Sequence, residues 1–166
     1  MKLQLTLTLL LFTLASFAQQ DTIAPPYKRF PTVPPLEILL GDSTTIYKKE
    51  DLPKKPLLIV FFSPDCDHCQ HEAKEIVAHK KEFSKVQIVM VTTYPIYKMN
   101  AFAEEYGLVK MKNVVMGRDV HYFFPSFFNI RNFPYLAMYD KQGNFLSKTE
   151  GTTNIQNIIS VFKNAN

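Results

Sequence analysis

The sequence predicts an α/β domain, a central mixed β-sheet flanked by helices, with an N-terminal β-hairpin extension. Three observations lead there. Two apolar runs, LLIVFF at 57–62 and VQIVMV at 86–91, bracket a segment whose apolar residues recur at helical spacing. Two strand-like pieces split by Gly41 and Asp42 come before them. After them come two more strands, parted by Lys141-Gln142-Gly143, and an amphipathic helix.

At 166 residues, with 46% hydrophobic and 13% aromatic content, the chain can fill one domain with a sizeable core and has little left for a second. The formal charge of +4 rests on lysines interleaved with acids such as Glu50, Asp51, Glu72, Glu75 and Glu82. They form no stripe along the sequence, so no nucleic-acid partner is expected. Residues 1–18 combine a basic Lys2, an apolar run from Leu7 to Leu14, and Ser16 and Ala18 on either side of Phe17. That is the pattern of a signal peptide cut before Gln19. A permanent anchor needs roughly 20 apolar residues, and Gln4, Thr6, Thr8 and Thr13 interrupt this run. No stable membrane span is expected after cleavage, and with no Cys following the cut, no acyl anchor. The expected location is periplasmic or otherwise extracytoplasmic, where disulfides persist. Cys66 and Cys69 are the two cysteines, too few for a disulfide-stapled scaffold.

Residues 19–35, QQDTIAPPYKRFPTVPP, hold Pro25, Pro26, Pro31, Pro34 and Pro35, which remove amide donors and hold the backbone extended. They read as a leader or an edge covering, not a helix, ahead of a folded domain over 36–166. LEILL at 36–40 and TTIYK at 44–48 make the hairpin. LLIVFF, bounded by Pro56 and Ser63-Pro64, bears the mark of a strand buried on both faces. From Cys66 to about Phe83 the spacing turns helical, with Cys69, Ala73, Ile76 and Phe83 on one face and His71, Lys74, Glu75, Ala78 and Glu82 on the other. VQIVMV then closes a β-α-β unit, whose strands pair in parallel. After Pro95, KMNAFAEEYGL is helical and stops at Gly107, where a left-handed position suits glycine. NVVM at 113–116 fits a short strand. HYFFPSFFNI at 121–130 is an aromatic-rich connection with no element assigned, and its rings suit a core better than an interface. YLAMYD at 135–140 and NFLSKTE at 144–150 form an antiparallel hairpin. Ile155, Ile158, Ile159 and Phe162 mark the closing helix over 154–164.

The chemistry gathers where the first buried strand meets the first long helix, a favoured place for sites in open α/β sheets. Cys-x-x-Cys across one helical turn lets two sulfurs close a small-ring disulfide. Cys66, at the positive end of the helix dipole and near unsatisfied amides, is favoured as a thiolate. Cys69, one turn deeper on the packed face, suits a resolving thiol. His68 adds a positive or hydrogen-bonding neighbour, whereas Asp65 and Asp67 set negative charge within a few residues of the sulfur. These influences oppose one another and leave the reduction potential open. A solvated turn position accounts for His68 equally well, and His71 and His79 fit the helix surface.

LLIVFFSPDCDHCQHEAKEI resembles the active-site segment of the thioredoxin-like superfamily, close to exported thiol-disulfide oxidoreductases of the TlpA/ResA type. The resemblance continues through NIRNFPYLAMYDKQGNFLSKTEG, similar to the family's cis-proline strand and hairpin, and covers roughly residues 36–164. It implies a thioredoxin-like fold with Cys66 as nucleophile, Cys69 as resolving residue, and substrate docking at Phe133 and Pro134, whose peptide bond is cis and faces the disulfide. Implied partners are protein thiols or disulfides and an upstream redox partner, in the service of cell redox homeostasis, with no cofactor and no metal. Three positions depart from the pattern. Asp65 replaces the usual Trp, and Phe133 is bulkier than the usual Thr, Val or Ile. The buried acid that assists proton transfer in cytosolic thioredoxins falls at Val60. Cys-Asp-His-Cys also resembles the Cys-Pro-His-Cys of strongly oxidising periplasmic relatives, with Asp67 in place of proline.

Other functions compete with this one. Cys66, His68, Cys69 and His71 lie close enough in sequence for zinc or copper(I), but structural zinc usually draws on two separated ligand pairs and no second Cys pair exists. A non-enzymatic interaction domain would use the Pro-rich leader and the aromatics from Tyr122 to Phe128; cysteines at exchange spacing argue against it. Gln70 after Cys69 excludes covalent c-type haem, which needs Cys-x-x-Cys-His, though reduction of haem-protein cysteines lies within the resembling family's range. A Cys-x-x-Cys at a helix start normally trades electrons with protein thiols, which disfavours a peroxidase.

Overall fold

The apolar runs become the middle of a seven-stranded sheet. The computed structural model describes residues 24–164; the signal-peptide segment 1–18 and the first leader residues lie outside the described residues. Strands β1 (Glu37–Leu40), β2 (Ile46–Lys48), β3 (Leu57–Phe61), β4 (Gln87–Thr92), β5 (Val114–Arg118), β6 (Tyr135–Tyr139) and β7 (Phe145–Glu150) are ordered β2-β1-β5-β4-β3-β6-β7. The β3–β4 and β4–β5 pairs are parallel and the rest antiparallel. This is the mixed sheet expected, with the hairpin of β1 and β2 added at one edge. All residues of β3, β4 and β6 are buried, which is why they read as unbroken apolar runs and not as alternation.

Two cores follow from the two faces. On one, Leu58, Val60, Met90 and Leu136 meet helix α2 (Asp67–Ala78) through Cys69, Ala73 and Ile76, helix α3 (Ile96–Glu105) through Phe102, and the closing helix α5 (Ile155–Asn164) through Ile158 and Phe162. On the other, Ile59, Phe61, Val89 and Tyr135 pack under Tyr27, Phe124 and Phe128. Among the described residues no helix is long and apolar enough to cross a membrane.

Several boundaries differ from the sequence reading. The leader contains a helical turn, α1 (Pro26–Arg29). Pro26 occupies a first-turn position where a missing amide costs nothing, and Tyr27, 5% exposed, is drawn inward against the rings of Phe128 and Phe145. The remaining leader does cover an edge, bridging Thr32 to Asn144. The unassigned aromatic connection holds α4 (Phe123–Phe128). Its entry is fixed by the buried carboxylate of Asp119, which accepts from the amides of His121 and Phe124. Phe124, Phe127 and Phe128 are core, whereas Tyr122 is 59% exposed. Helix α2 ends at Ala78 instead of near Phe83; tight turns carry the chain on, with the amides of Glu82 and Phe83 both reaching the His79 carbonyl, and Phe83 still enters the core.

Two glycines are required by geometry. At Gly117, where β5 lies against β1, a Cβ would sit 2.6 Å from Ile38 Cδ1. Gly143 has φ +86° in the β6–β7 turn, a conformation that L side chains rarely adopt.

Candidate active site

Strand β3 delivers the chain to the open end of the sheet, and the tight segment Ser63-Pro64-Asp65 turns it into α2. The Cys66 amide donates to the Ser63 carbonyl (3.2 Å), and Gln70 Nε2 donates to the Pro64 carbonyl (3.1 Å), pinning this turn to the helix it starts. Cys66 is the residue just before the first helical turn, in extended conformation. Its carbonyl accepts the Gln70 amide at 3.0 Å. Its side chain makes no capping bond to the helix amides, so the helix end acts on the sulfur as a field and not as a direct donor.

The two sulfurs differ as the spacing implies. Both are free thiols; Cys66 is half-buried and Cys69 buried. The Ser63 amide donates to Cys69 Sγ at 3.5 Å. Burial nevertheless pushes the Cys69 thiol up to about 12, outweighing the Ser63 bond, and its hydrogen bond to Cys66 and the nearby charges of Cys66 and Glu72 add to the rise. At neutral pH, Cys69 therefore holds its proton.

Glu72 is the site residue that the sequence reading did not pick out. It stands three residues after Cys69, on the same helix face as Cys69, Ala73 and Ile76, and is 2% exposed. Its Oε1 has no hydrogen-bond partner among the described residues. Burial, aided by the negative charge of Glu75, lifts its carboxyl from an ordinary 4.5 to about 7. Val60 is packed in the apolar core with Cys69 and Ala73, so the buried carboxyl near Cys69 stands on the helix and not on the strand. The i, i+3, i+4, i+7 series that marked the buried face was the signal available for it.

The charges around Cys66 are also partly committed. Lys98 on α3 reaches Asp65 Oδ2 at 2.6 Å, so one of the two acids expected to oppose a thiolate has its own counter-ion. Asp67 begins α2 in its first turn. His68 shares a 2.8 Å hydrogen bond between its Nδ1 and Thr152 Oγ1, which ties the Cys-x-x-Cys turn to the loop after β7. The Gly151 amide in that loop donates to the Pro134 carbonyl at 2.9 Å. The Phe133–Pro134 bond is cis. Phe133 is 38% exposed, its ring stacked 5.7 Å from that of Phe61. Since β3 and β6 pair Phe61 with Tyr135, Phe133 and Pro134 share the end of the sheet from which the cysteines project. His71 is exposed, and His79 turns its Nδ1 to the Glu75 carbonyl. Among the described residues no three His, Cys, Asp or Glu side chains gather as a metal-binding group.

A Cys-x-x-Cys pair at the end of a central strand, on a sheet with helices on both faces, defines the thioredoxin class of domain. The family model for the thioredoxin-like domain matches residues 45–166, and the chain belongs to that family. No curated protein matches its sequence. Among solved structures, dsbF from MTB, in mixed oxidized and reduced forms, is 22% identical with a TM-score of 0.68, over 81% of this chain and 100% of its own. A secreted Mycobacterium tuberculosis disulfide oxidoreductase homologous to E. coli DsbE is 17% identical with a TM-score of 0.64, over 76% of this chain and 92% of its own. An exposed lipoprotein thioredoxin of Streptococcus pneumoniae is 21% identical with a TM-score of 0.58, over 79% of this chain and 99% of its own. At these identities the likeness is one of fold.

Proposed function

We propose that this chain is an exported thiol-disulfide oxidoreductase that exchanges electrons with protein thiols and disulfides through Cys66 and Cys69. The observation that carries the reading is the asymmetry of the pair: a half-exposed sulfur in front of a buried, proton-holding one, at the head of a helix. Export is supported by the pattern of residues 1–18 and by structural relatives described as secreted or exposed.

In the reducing direction, the Cys66 thiolate attacks one sulfur of a substrate disulfide. That bond breaks, a mixed disulfide forms, and the first substrate sulfur leaves as a thiolate that takes up a proton. Cys69 then loses its proton and attacks Cys66 Sγ, closing the Cys66–Cys69 disulfide and releasing the second substrate thiol. The substrate gains two electrons from the cysteines and two protons, one of them from solvent because Cys66 starts as a thiolate, and the oxidising direction is the reverse. Cys69 is too weak an acid to ionise unaided near neutrality, and Glu72, with a proton affinity centred near 7, is matched to take that proton as the second step proceeds. Phe133 and Pro134 serve as the docking edge for an extended substrate segment, while His68, Asp65 and Asp67 modulate the thiolate.

The test is covalent capture. Cys69→Ser should accumulate mixed disulfides between Cys66 and partner proteins, and Cys66→Ser should accumulate none. If Cys69 in Cys66→Ser alkylates faster near neutral pH than Cys66 in Cys69→Ser, the assigned roles are reversed. The reduction potential of the pair, by glutathione titration, fixes the direction: near −270 mV, roughly that of thioredoxin, for a reductant, and near −120 mV for an oxidant.

A further inference from the structure

The lysines that look scattered in the sequence are collected by the fold at one end. Strands β3, β4 and β5 are parallel neighbours, so the segments that feed their starts, 52–56, 79–86 and 108–113, lie together at the pole opposite to Cys66. These segments carry Lys54 and Lys55, Lys80, Lys81 and Lys85, and Lys110 and Lys112, against Glu82 as their one acid. All seven are exposed. Among the described residues none of them has an ion pair or a side-chain hydrogen bond, whereas Lys98 and Lys148 elsewhere are paired. Four of the seven, Lys55, Lys80, Lys110 and Lys112, ring a hollow of about 340 Å³ whose remaining lining includes no acid. Val109, 53% exposed, is the large apolar side chain presented beside them.

We propose that this basic pole docks the protein on an anionic lipid bilayer, with Cys66 facing away from it. The charge decides the class of partner and the geometry decides among its members. Unpaired, solvated lysines spread across three adjacent strands, at ~4.8 Å per strand, span more than one small anion but match the diffuse negative potential of an acidic bilayer, where each contributes separately. No exposed aromatic ring lies in these three segments, and stacking is what single-stranded nucleic acids require. An acidic protein that exchanged electrons with the cysteines would have to reach the other pole. A bilayer has no need of Cys66, and docking on it leaves the Phe133–Pro134 edge open to soluble substrates. The inference stands apart from the direction of electron flow and from the redox reading itself.

Sedimentation of the full chain with vesicles tests it. Phosphatidylcholine vesicles containing about a third phosphatidylglycerol should bind the protein at low ionic strength and release it in high salt, and pure phosphatidylcholine vesicles should bind none. Lys80→Gln, Lys110→Gln and Lys112→Gln together should weaken binding about 100-fold, at several-fold for each surface lysine. The triple Lys28→Gln, Lys48→Gln and Lys74→Gln, outside this pole, should cost far less. Melting curves check that both triples are folded. A polarity-sensitive label at Val109→Cys, in a Cys66→Ser, Cys69→Ser background, should shift on vesicle addition, and the same label on Cys66 of Cys69→Ser should not. Equal losses from the two triples, equal binding to neutral vesicles, a shift at Cys66, or saturable binding of inorganic phosphate or RNA without vesicle binding would each overturn the proposal.

Discussion

Replacing Glu72 by Gln should remove a pH dependence from the stability of the protein. The carboxyl is lifted from 4.5 to about 7 mainly by burial, so the native state binds its proton more tightly than the unfolded chain does. Its contribution to stability is fully present below about 4.5 and is lost as pH rises through about 7. At about 1.4 kcal/mol for each tenfold in proton affinity, the rise amounts to about 3 kcal/mol. Glutamine keeps the shape and stays neutral, so Glu72→Gln should match the native protein near pH 4 and exceed it by up to about 3 kcal/mol at pH 8. Urea denaturation of both proteins at a series of pH values, with the cysteines kept reduced, measures the difference. Parallel pH curves for the two would refute the argument, because they would mean that Glu72 ionises in the folded protein as it does in water. A second readout separates stability from chemistry. Removing the Glu72 charge takes away one influence that holds the proton on Cys69, yet loss of the proton acceptor should slow the closing step, release of a mixed disulfide by Cys69, about 100-fold near pH 7.

Other perturbations have equally specific outcomes. Lys98→Gln leaves Asp65 without its 2.6 Å partner, so alkylation of Cys66 should slow a few-fold at low salt and recover in the Asp65→Asn, Lys98→Gln double variant; equal rates in all three would show that the pair does not act on the sulfur. Thr152→Val removes the partner of His68 Nδ1 and should change the rate of Cys66 alkylation at fixed pH with little change in melting temperature; an unchanged rate would show that the bond does not position the Cys-x-x-Cys turn. Gly117→Ala drives a Cβ to 2.6 Å from Ile38 and should destabilise the β1–β5 edge by about 2 kcal/mol, which thermal melts would detect. Intact-mass analysis of protein secreted from a bacterial host should give a chain starting at Gln19, and retention of Met1–Ala18 would reject cleavage there.

What the sequence made legible was what periodicity and local spacing encode. LLIVFF and VQIVMV had to be central strands because an edge strand could not bury every residue, and Cys66-x-x-Cys69 was placed at a strand-to-helix junction by the change of period between them. Buried aromatic anchors are less local, and Asx chemistry, though local, leaves no periodic mark. The helix at Phe123–Phe128 depends on Asp119 accepting two amides, and the turn at Pro26–Arg29 depends on Tyr27 finding Phe128 and Phe145, rings more than a hundred residues further along. Lys98 and Asp65 are separated by 33 residues, and Thr152 and His68 by 84. Spacing arguments cannot see such pairs, although they set the electrostatics of the site.

The position of the buried acid bears on how the pair works. An acid at Val60 would belong to β3 and be fixed by the sheet, whereas Glu72 belongs to the helix that also carries Cys69. Three residues along a helix place two side chains on one face a turn apart, so any movement of α2 carries donor and acceptor together. Their relation then depends on the helix alone and not on the packing of α2 against the sheet. The arrangement costs stability above neutrality, since Oε1 is buried with no hydrogen-bond partner among the described residues and burial of an unpaired carboxylate is unfavourable. A group retained against that cost, beside a thiol that cannot ionise unaided near neutrality, is accounted for if it accepts the Cys69 proton. Glu72→Leu separates the two roles: it should stabilise the protein above pH 7 while leaving Cys69 slow to resolve. A leucine variant that resolves mixed disulfides at the native rate would assign Glu72 no part in the exchange.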